Sequence, residues 1–399
     1  MISFTNHLEF NLSKLKIDKQ QDYLVAVKDS LFFSGMNDEI IKICIDKNFE
    51  IIRKSTREYG SPSFPRVTYE NADCLFYYSY PTNKKTEDHL LCVSKIDMDL
   101  NTVWSKDLSI TYNFFKCLPT ENEELYFSAI TKIESGEMSR IGKFNTYGDI
   151  EWEHIIDTGE IVVNNGCCLS DNKVMSPIKH DGNYTEFKIF DDNGIVLNTI
   201  PLQYDASKFF SWQDVELLQD SNRNVLITAC YPAKEPLFIP GTVFMITDSH
   251  GNFLHRTMRT IKTMIVYPIV FYDDRYLICC YSGYNLTSKN IPIPVHELSC
   301  VDLMSNKDRL IYPLHGNNTV VIYTAHHNYH YIVAYPKNEN DKNPYTPERQ
   351  SLFVFDQQFN LLVEHPLRLN DSIIDIKIIG GYVVILTTIS IKILKIIHG

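Results

Sequence analysis

The chain of 399 residues is 44% hydrophobic and 22% charged, a balance that excludes a disordered, collagen-like or coiled-coil polypeptide and allows a large core. Its 38 Lys and Arg against 49 Asp and Glu give a formal net charge of -11, a field that repels phosphate backbones and anionic lipid surfaces, so no nucleic acid and no membrane is expected as partner. Aromatics reach 12%, with 24 Tyr and 22 Phe set beside Val, Ile and Thr in short runs, which is strand chemistry.

The N-terminal run Met1-Ile2-Ser3-Phe4-Thr5-Asn6-His7 has no basic start and no continuous apolar stretch, so it does not read as an export signal. The ten cysteines contain no CxxC and lie mostly inside apolar runs, as buried thiols of a reducing compartment do. The most apolar stretch, Ile378 to Ile391, carries Gly380 and Gly381 and is too short to span a bilayer. A cytoplasmic, soluble protein is therefore expected.

A repeat runs along the chain. An apolar strand ending in Asp or Asn, followed by a short turn and a second strand, recurs at Asp46, Asp97, Asn145, Asp191, Asp248, Asp302 and Asp356. The mean step of about 52 residues is that of a four-stranded propeller blade. A second marker, a strand of large apolar residues, begins near Leu31, Leu75, Leu125, Val174, Leu226, Leu277, Ile332 and Val383. These eight copies predict an all-β fold: one β-propeller domain over 1–399 with eight four-stranded blades, strands a to d in each. The last blade takes its inner strands from 372–397 and lacks a fourth. Residues 1–15 alternate like an outer strand and are expected to supply it, closing the ring and removing exposed edges. Seven blades remain the alternative if the terminal segments form none. The Asp series reads as hairpin-turn residues bonding their own backbone, with Gly148, Gly194 and Gly251 taking positive φ.

Asp97-Met98-Asp99-Leu100-Asn101-Thr102-Val103-Trp104 and Asn145-Thr146-Tyr147-Gly148-Asp149-Ile150-Glu151-Trp152 resemble the Asp-x-x-Gly-x-x-x-Trp turn of quinoprotein-like propellers, those built of pyrroloquinoline-quinone repeats. The resemblance implies eight blades and terminal strand exchange. It assigns no cofactor, because no quinone- or calcium-binding residues can be matched.

Phosphate cradles, zincin helices and nucleophile elbows have no motif here. His326-His327-Asn328-Tyr329-His330 falls between two strands and reads as a polar hairpin turn rather than a metal site, with no carboxylate or Cys nearby to complete a ligand set. Cys167-Cys168 and Cys279-Cys280 read as buried small hydrophobes. Loop length carries more information. The a–b and c–d turns are short, whereas the b–c connections Pro81–Asp88, Pro232–Thr242, Ser282–Glu297 and Pro336–Gln350 are long, and long loops on a rigid scaffold are where binding residues concentrate. Tyr80, Tyr231, Tyr281 and Tyr335 open them, either as a ligand-binding ring or as packing between blades. Lys234, Arg349, Arg66 and Trp212 are expected on the same side as ligand-binding companions. His180 beside Asp181 and His296 beside Glu297 are the candidate catalytic bases. The leading reading is a non-catalytic module binding a protein, peptide or small ligand over the Tyr-lined face. The alternative is a channel-mouth hydrolase or lyase using His with a carboxylate or Tyr, and a redox quinoprotein is the third.

Overall fold

The computed structural model describes residues 2–18, 24–56, 62–65, 72–79, 90–133, 136–156, 160–162, 166–180, 184–201, 214–231, 241–259, 264–286, 292–314, 319–326, 328–336, 350–367, 369 and 371–398. The fold is a β-propeller of eight four-stranded antiparallel blades, as the repeat predicts. Two compact units divide the chain, Met1–Asn164 with Asp371–Gly399, and Asn165–Asn370.

In the first unit, blade 1 comprises Val25–Val27, Ser30–Gly35, Glu39–Cys44 and Glu50–Ser55. Blades 2 and 3 are joined into one seven-stranded sheet by the 18-residue strand Thr102–Pro119. Its first part pairs with Leu90–Asp97 as strand d of blade 2, and its second part pairs with Leu125–Ile133 as strand a of blade 3. Blade 8 takes Ile373–Ile379, Tyr382–Thr387 and Ser390–His398 from the C-terminal end and Ile2–Asn11 from the N-terminal end. The closing ladder runs from Ile2 opposite His398 to Asn11 opposite Ser390, with an irregularity at His7. The outer strand is shorter than the expected 1–15. Asn11 caps a helical turn, Leu12–Leu15, by accepting the Lys14 N–H at 3.2 Å, and Leu12 and Leu15 turn into the core shared with blade 1.

The second unit holds blade 4 (Cys167–Cys168, Val174–His180, Tyr184–Phe190, Val196–Pro201) and blade 5 (Asp214–Gln219, Val225–Tyr231, Gly241–Thr247, Phe253–Arg259). Blade 6 follows (Met264–Tyr272, Tyr276–Leu286, Pro292–Asp302, Lys307–Leu314), then blade 7 (Thr319–His326, Tyr329–Pro336, Ser351–Phe355, Leu361–Pro366).

The repeated Asp and Asn residues build the c–d turns. Asp248 Oδ1 accepts the N–H groups of His250 at 2.9 Å and Asn252 at 2.8 Å, and Asn145, Asp97, Asp191 and Asp356 make the same pair of bonds. Three residues after each of these five, the backbone turns left-handed. Gly148 and Gly251 stand there at φ 83°, where an L side chain is strained, but Leu100 and Phe359 hold the same place at 67° and 58°. Packing explains the difference. A Cβ on Gly148 would lie 2.6 Å from the Trp104 ring of blade 2, whose Nε1 donates to the Thr146 carbonyl at 3.0 Å, and a Cβ on Gly251 would overlap Ile189 of blade 4. Leu100 and Phe359 instead bury their own side chains against the preceding blade. The gap is filled either by the turn or by the neighbour.

Buried lysines tie consecutive blades in the first unit. Lys42 Nζ donates to the Met98 carbonyl at 2.5 Å, and Lys95 pairs with Glu123 at 2.7 Å. Lys143, fully buried, pairs with Glu124 at 3.0 Å and Glu151 at 2.9 Å within blade 3.

The substitution Gly251→Ala is expected to cost about 2–4 kcal/mol, combining φ strain with overpacking on Ile189. Gly381→Ala, at φ 81° with open space around it, should cost only the strain, about 1–2 kcal/mol. In urea unfolding, adding Ile189→Ala to Gly251→Ala should recover part of the loss, and strict additivity of the two would refute the shared gap.

Candidate functional site

At the end formed by the a–b and c–d turns, carboxylates serve the turns themselves. Asp97-Met98-Asp99-Leu100-Asn101 and Asp220-Ser221-Asn222-Arg223-Asn224 have the Asp-x-Asx-x-Asn spacing of a calcium loop. In both, the first carboxylate accepts backbone N–H groups with one oxygen and the last Asn amide with the other. These bonds hold the Asp97 carboxyl below its ordinary range, the Asn101 amide contributing most. Among the described residues no three His, Cys, Asp or Glu side chains gather closely enough to hold a metal. Burial pushes the thiols up, Cys74 to about 11 and Cys280 to about 12, and Cys117 and Cys167 further, so these sulfurs stay protonated and unreactive at neutral pH.

The polar turn expected over His326–His330 is smaller than the sequence suggests. Strand a reaches His326 and strand b begins at Tyr329, so His330 belongs to the strand, and His327 lies outside the described residues. The His330 ring stacks on Phe359 with centroids 4.0 Å apart, and its Nδ1 lies 3.0 Å from the Tyr323 hydroxyl. Burial pulls its pKa from the ordinary 6.5 down to about 4, with Asp356 opposing, and burial raises that of Tyr323. This pair is a satisfied, half-buried polar contact at the edge of the core between blades 6 and 7. Alternating periodicity of Tyr329 to Tyr335 was the available signal that His330 lies in a strand.

At the b–c end, five candidate residues occupy described backbone positions of consecutive blades in the second unit. His180 ends strand b of blade 4, Tyr231 ends strand b of blade 5, and Tyr335 is the penultimate residue of strand b in blade 7. Tyr281 and His296 belong to blade 6, where Tyr281 stands opposite Glu297 and His296 opposite Ser282. They are not loop residues. The expected loop Ser282–Glu297 is largely ladder, with pairing continuing to Leu286 opposite Pro292, because Tyr284, Leu286, Ile293 and Val295 sustain the alternation that a strand requires. Nor do the tyrosines share one register. Counted from the strand b residue opposite the one just before the repeated Asp (Phe190, Thr247, Val301 and Phe355), His180 and Tyr231 stand six residues along strand b, Tyr281 four and Tyr335 five. Even and odd positions of a strand belong to opposite faces, so a uniform tyrosine ring does not follow from the backbone. Arg66, Tyr80, Trp212, Lys234 and Arg349 lie outside the described residues.

No protein-family model matches the chain, and no curated protein matches it. Solved structures similar to it include the WD40 domain of SCAP from fission yeast, at 9% identity over 92% of this chain and 82% of that one, TM-score 0.44. A catalytically inactive virginiamycin B lyase from Staphylococcus aureus with quinupristin shares 12% over 86% and 97%, TM-score 0.44. A prolyl endopeptidase shares 9% over 85% and 47%, TM-score 0.47. At these identities the likeness concerns the propeller fold alone.

Because the folded state holds His330 neutral down to about pH 4 while the unfolded chain takes up its proton near 6.5, this residue makes stability fall as pH drops from 6.5 toward 4 and leaves it level above 6.5. His330→Phe, which keeps a ring on Phe359, should flatten that part of the pH profile of urea midpoints. An unchanged slope would place the ring in water.

Proposed function

We propose that the protein is a recognition propeller, one domain over 1–399, that takes a protein, peptide or small ligand at the ends of its blades where the b–c connections emerge. The observation that carries this reading is the delivery of His180, Tyr231, Tyr281, His296 and Tyr335 to that end by consecutive blades of one compact unit. Rigid ladders present these residues, and Tyr combines apolar area with a hydroxyl at low entropic cost. Lys234, Arg349, Arg66, Trp212 and Tyr80 complete the proposed ligand-binding set. The buried thiols support a cytoplasmic setting, and no described helix is long and apolar enough to cross a membrane. The quinoprotein-like turn is a resemblance of the blade fold and implies no cofactor.

A second reading, a hydrolase or lyase, is favoured by one register. His296 stands opposite Ser282 on one rung, which gives a base and a hydroxyl the same face of the ladder, while Tyr281 and Glu297 pair on the next rung and so belong to the opposite face, and the carboxylate or phenol would come from another blade.

Affinity capture from cell extract followed by mass spectrometry tests the first reading. Tyr231→Ala and Tyr335→Ala should each reduce the captured partner at least tenfold with melting temperature unchanged. Collapse of melting with capture retained would make these tyrosines packing and end the reading. Turnover of an ester and amide panel by wild type, lost in His296→Ala, would establish the second, and a wild type without turnover would remove hydrolysis.

A further inference from the structure

Outer strands are the edges of propeller blades, and proteins guard such edges with charge. Seven of the eight outer strands here carry at least one Asp, Glu, Lys or Arg, from Arg53 in blade 1 to Glu9 in blade 8. Blade 4 is the exception. Its strand d, Val196–Pro201, reads Val-Leu-Asn-Thr-Ile-Pro, and the chain holds no charged residue between Asp192 and Asp205. Ile195, Val196 and Leu197 stand 61%, 45% and 51% exposed, three large apolar side chains in succession, a run that a soluble surface avoids unless it is used. The nearest charges on strand c are paired with each other: Lys188, opposite Thr199, and Glu186, opposite Pro201, lie 3.2 Å apart.

The main chain of this strand is guarded in another way. Asn198 Oδ1 accepts the Thr199 N–H at 2.8 Å, and Pro201 has no N–H, so neither position offers a donor to an added strand. A bulge takes up Leu197, which stands opposite no residue of strand c. Contact with this strand therefore runs through side chains rather than through a new ladder.

Charge selects the occupant. A chain of net charge -11 draws basic partners to its acidic surfaces, and for such a partner a contact without charge brings no electrostatic gain. Two copies of the chain repel each other wherever their carboxylates approach, so they meet most readily where charge is absent. Asp191 and Asp192 border one end of the strand. A two-fold, antiparallel contact sets that end of one copy beside the Pro201 end of the other and keeps the like charges apart.

We propose that Ile195, Val196 and Leu197 form the contact between two copies of this chain, related by a two-fold axis with their outer strands of blade 4 antiparallel. Three side chains supply only part of the about 800 Å² that a standard interface buries on each partner, so the dimer is weak and reversible. The inference concerns the outer strand of blade 4 and goes beyond the recognition reading of the b–c end, so either can fail alone.

Sedimentation of the full chain over a concentration series tests it. A dimer should form as concentration rises, and more readily at high salt, which screens the repulsion between copies and leaves apolar contact intact. Leu197→Glu, a like charge placed at an exposed bulge, should weaken the dimer roughly tenfold or more with melting temperature unchanged. Leu197→Lys should weaken it as well, and an equimolar mixture of the two variants should associate again. Leu361→Glu, at an exposed apolar position on the charged outer strand of blade 7, should leave the dimer as it is in wild type. A monomer at every concentration and salt, a dimer that salt dissolves, or a dimer equally strong in Leu197→Glu would each overturn the proposal. A monomeric wild type that captures a different protein, lost in Leu197→Glu, would overturn it too and assign the strand to that protein.

Discussion

Each blade must close the gap that its c–d turn leaves against the blade before it, and that packing demand shapes most of the repeat. The Asp or Asn at the head of the turn satisfies two backbone donors with one oxygen, which fixes the turn without help from elsewhere. The residue three places later is then forced left-handed, and its identity is settled by who fills the gap. Where Trp104 or Ile189 enters from the neighbour, only glycine fits; where it does not, Leu100, Phe359 or Phe49 accept backbone strain of about 1–2 kcal/mol and bury a large side chain in exchange. A glycine-only consensus would miss these positions, because the same cavity is filled from opposite directions.

This division of labour leaves the two ends of a blade unequal. The hairpin-turn end uses its carboxylates and amides to hold itself together, and in the first unit Lys42 and Lys95 spend their ammonium groups on the next blade. The b–c end is built on strand ladders, longest in blade 6, where both strands have 11 residues.

The repeat was legible because turn chemistry and strand alternation are local: seven Asp or Asn positions and eight apolar strands sufficed for eight blades, and the alternation of the N-terminal segment foretold its pairing with Ser390–His398. Three features were not legible. The Leu12–Leu15 turn depends on a cap at Asn11 and on two leucines finding a core formed by residues far along the chain. Thr102–Pro119 runs through two blades with no Gly or Pro before Pro119 to interrupt it, which spacing between turns does not reveal. Ser282–Glu297 looked like a loop because of its Pro, Asn and Ser content, yet its prolines fall on alternate positions that a ladder tolerates.

By itself, then, the sequence determined an all-β repeat, its period, its turn residues and the origin of the last strand, since each follows from interactions within a few residues or from a two-residue alternation. Only the tertiary structure decided which side chain fills each gap between blades, that His330 is a half-buried strand residue stacked on Phe359 rather than a turn residue, and that Ser282–Glu297 is largely ladder. These depend on register and on contacts between residues distant in the chain, which no local pattern encodes.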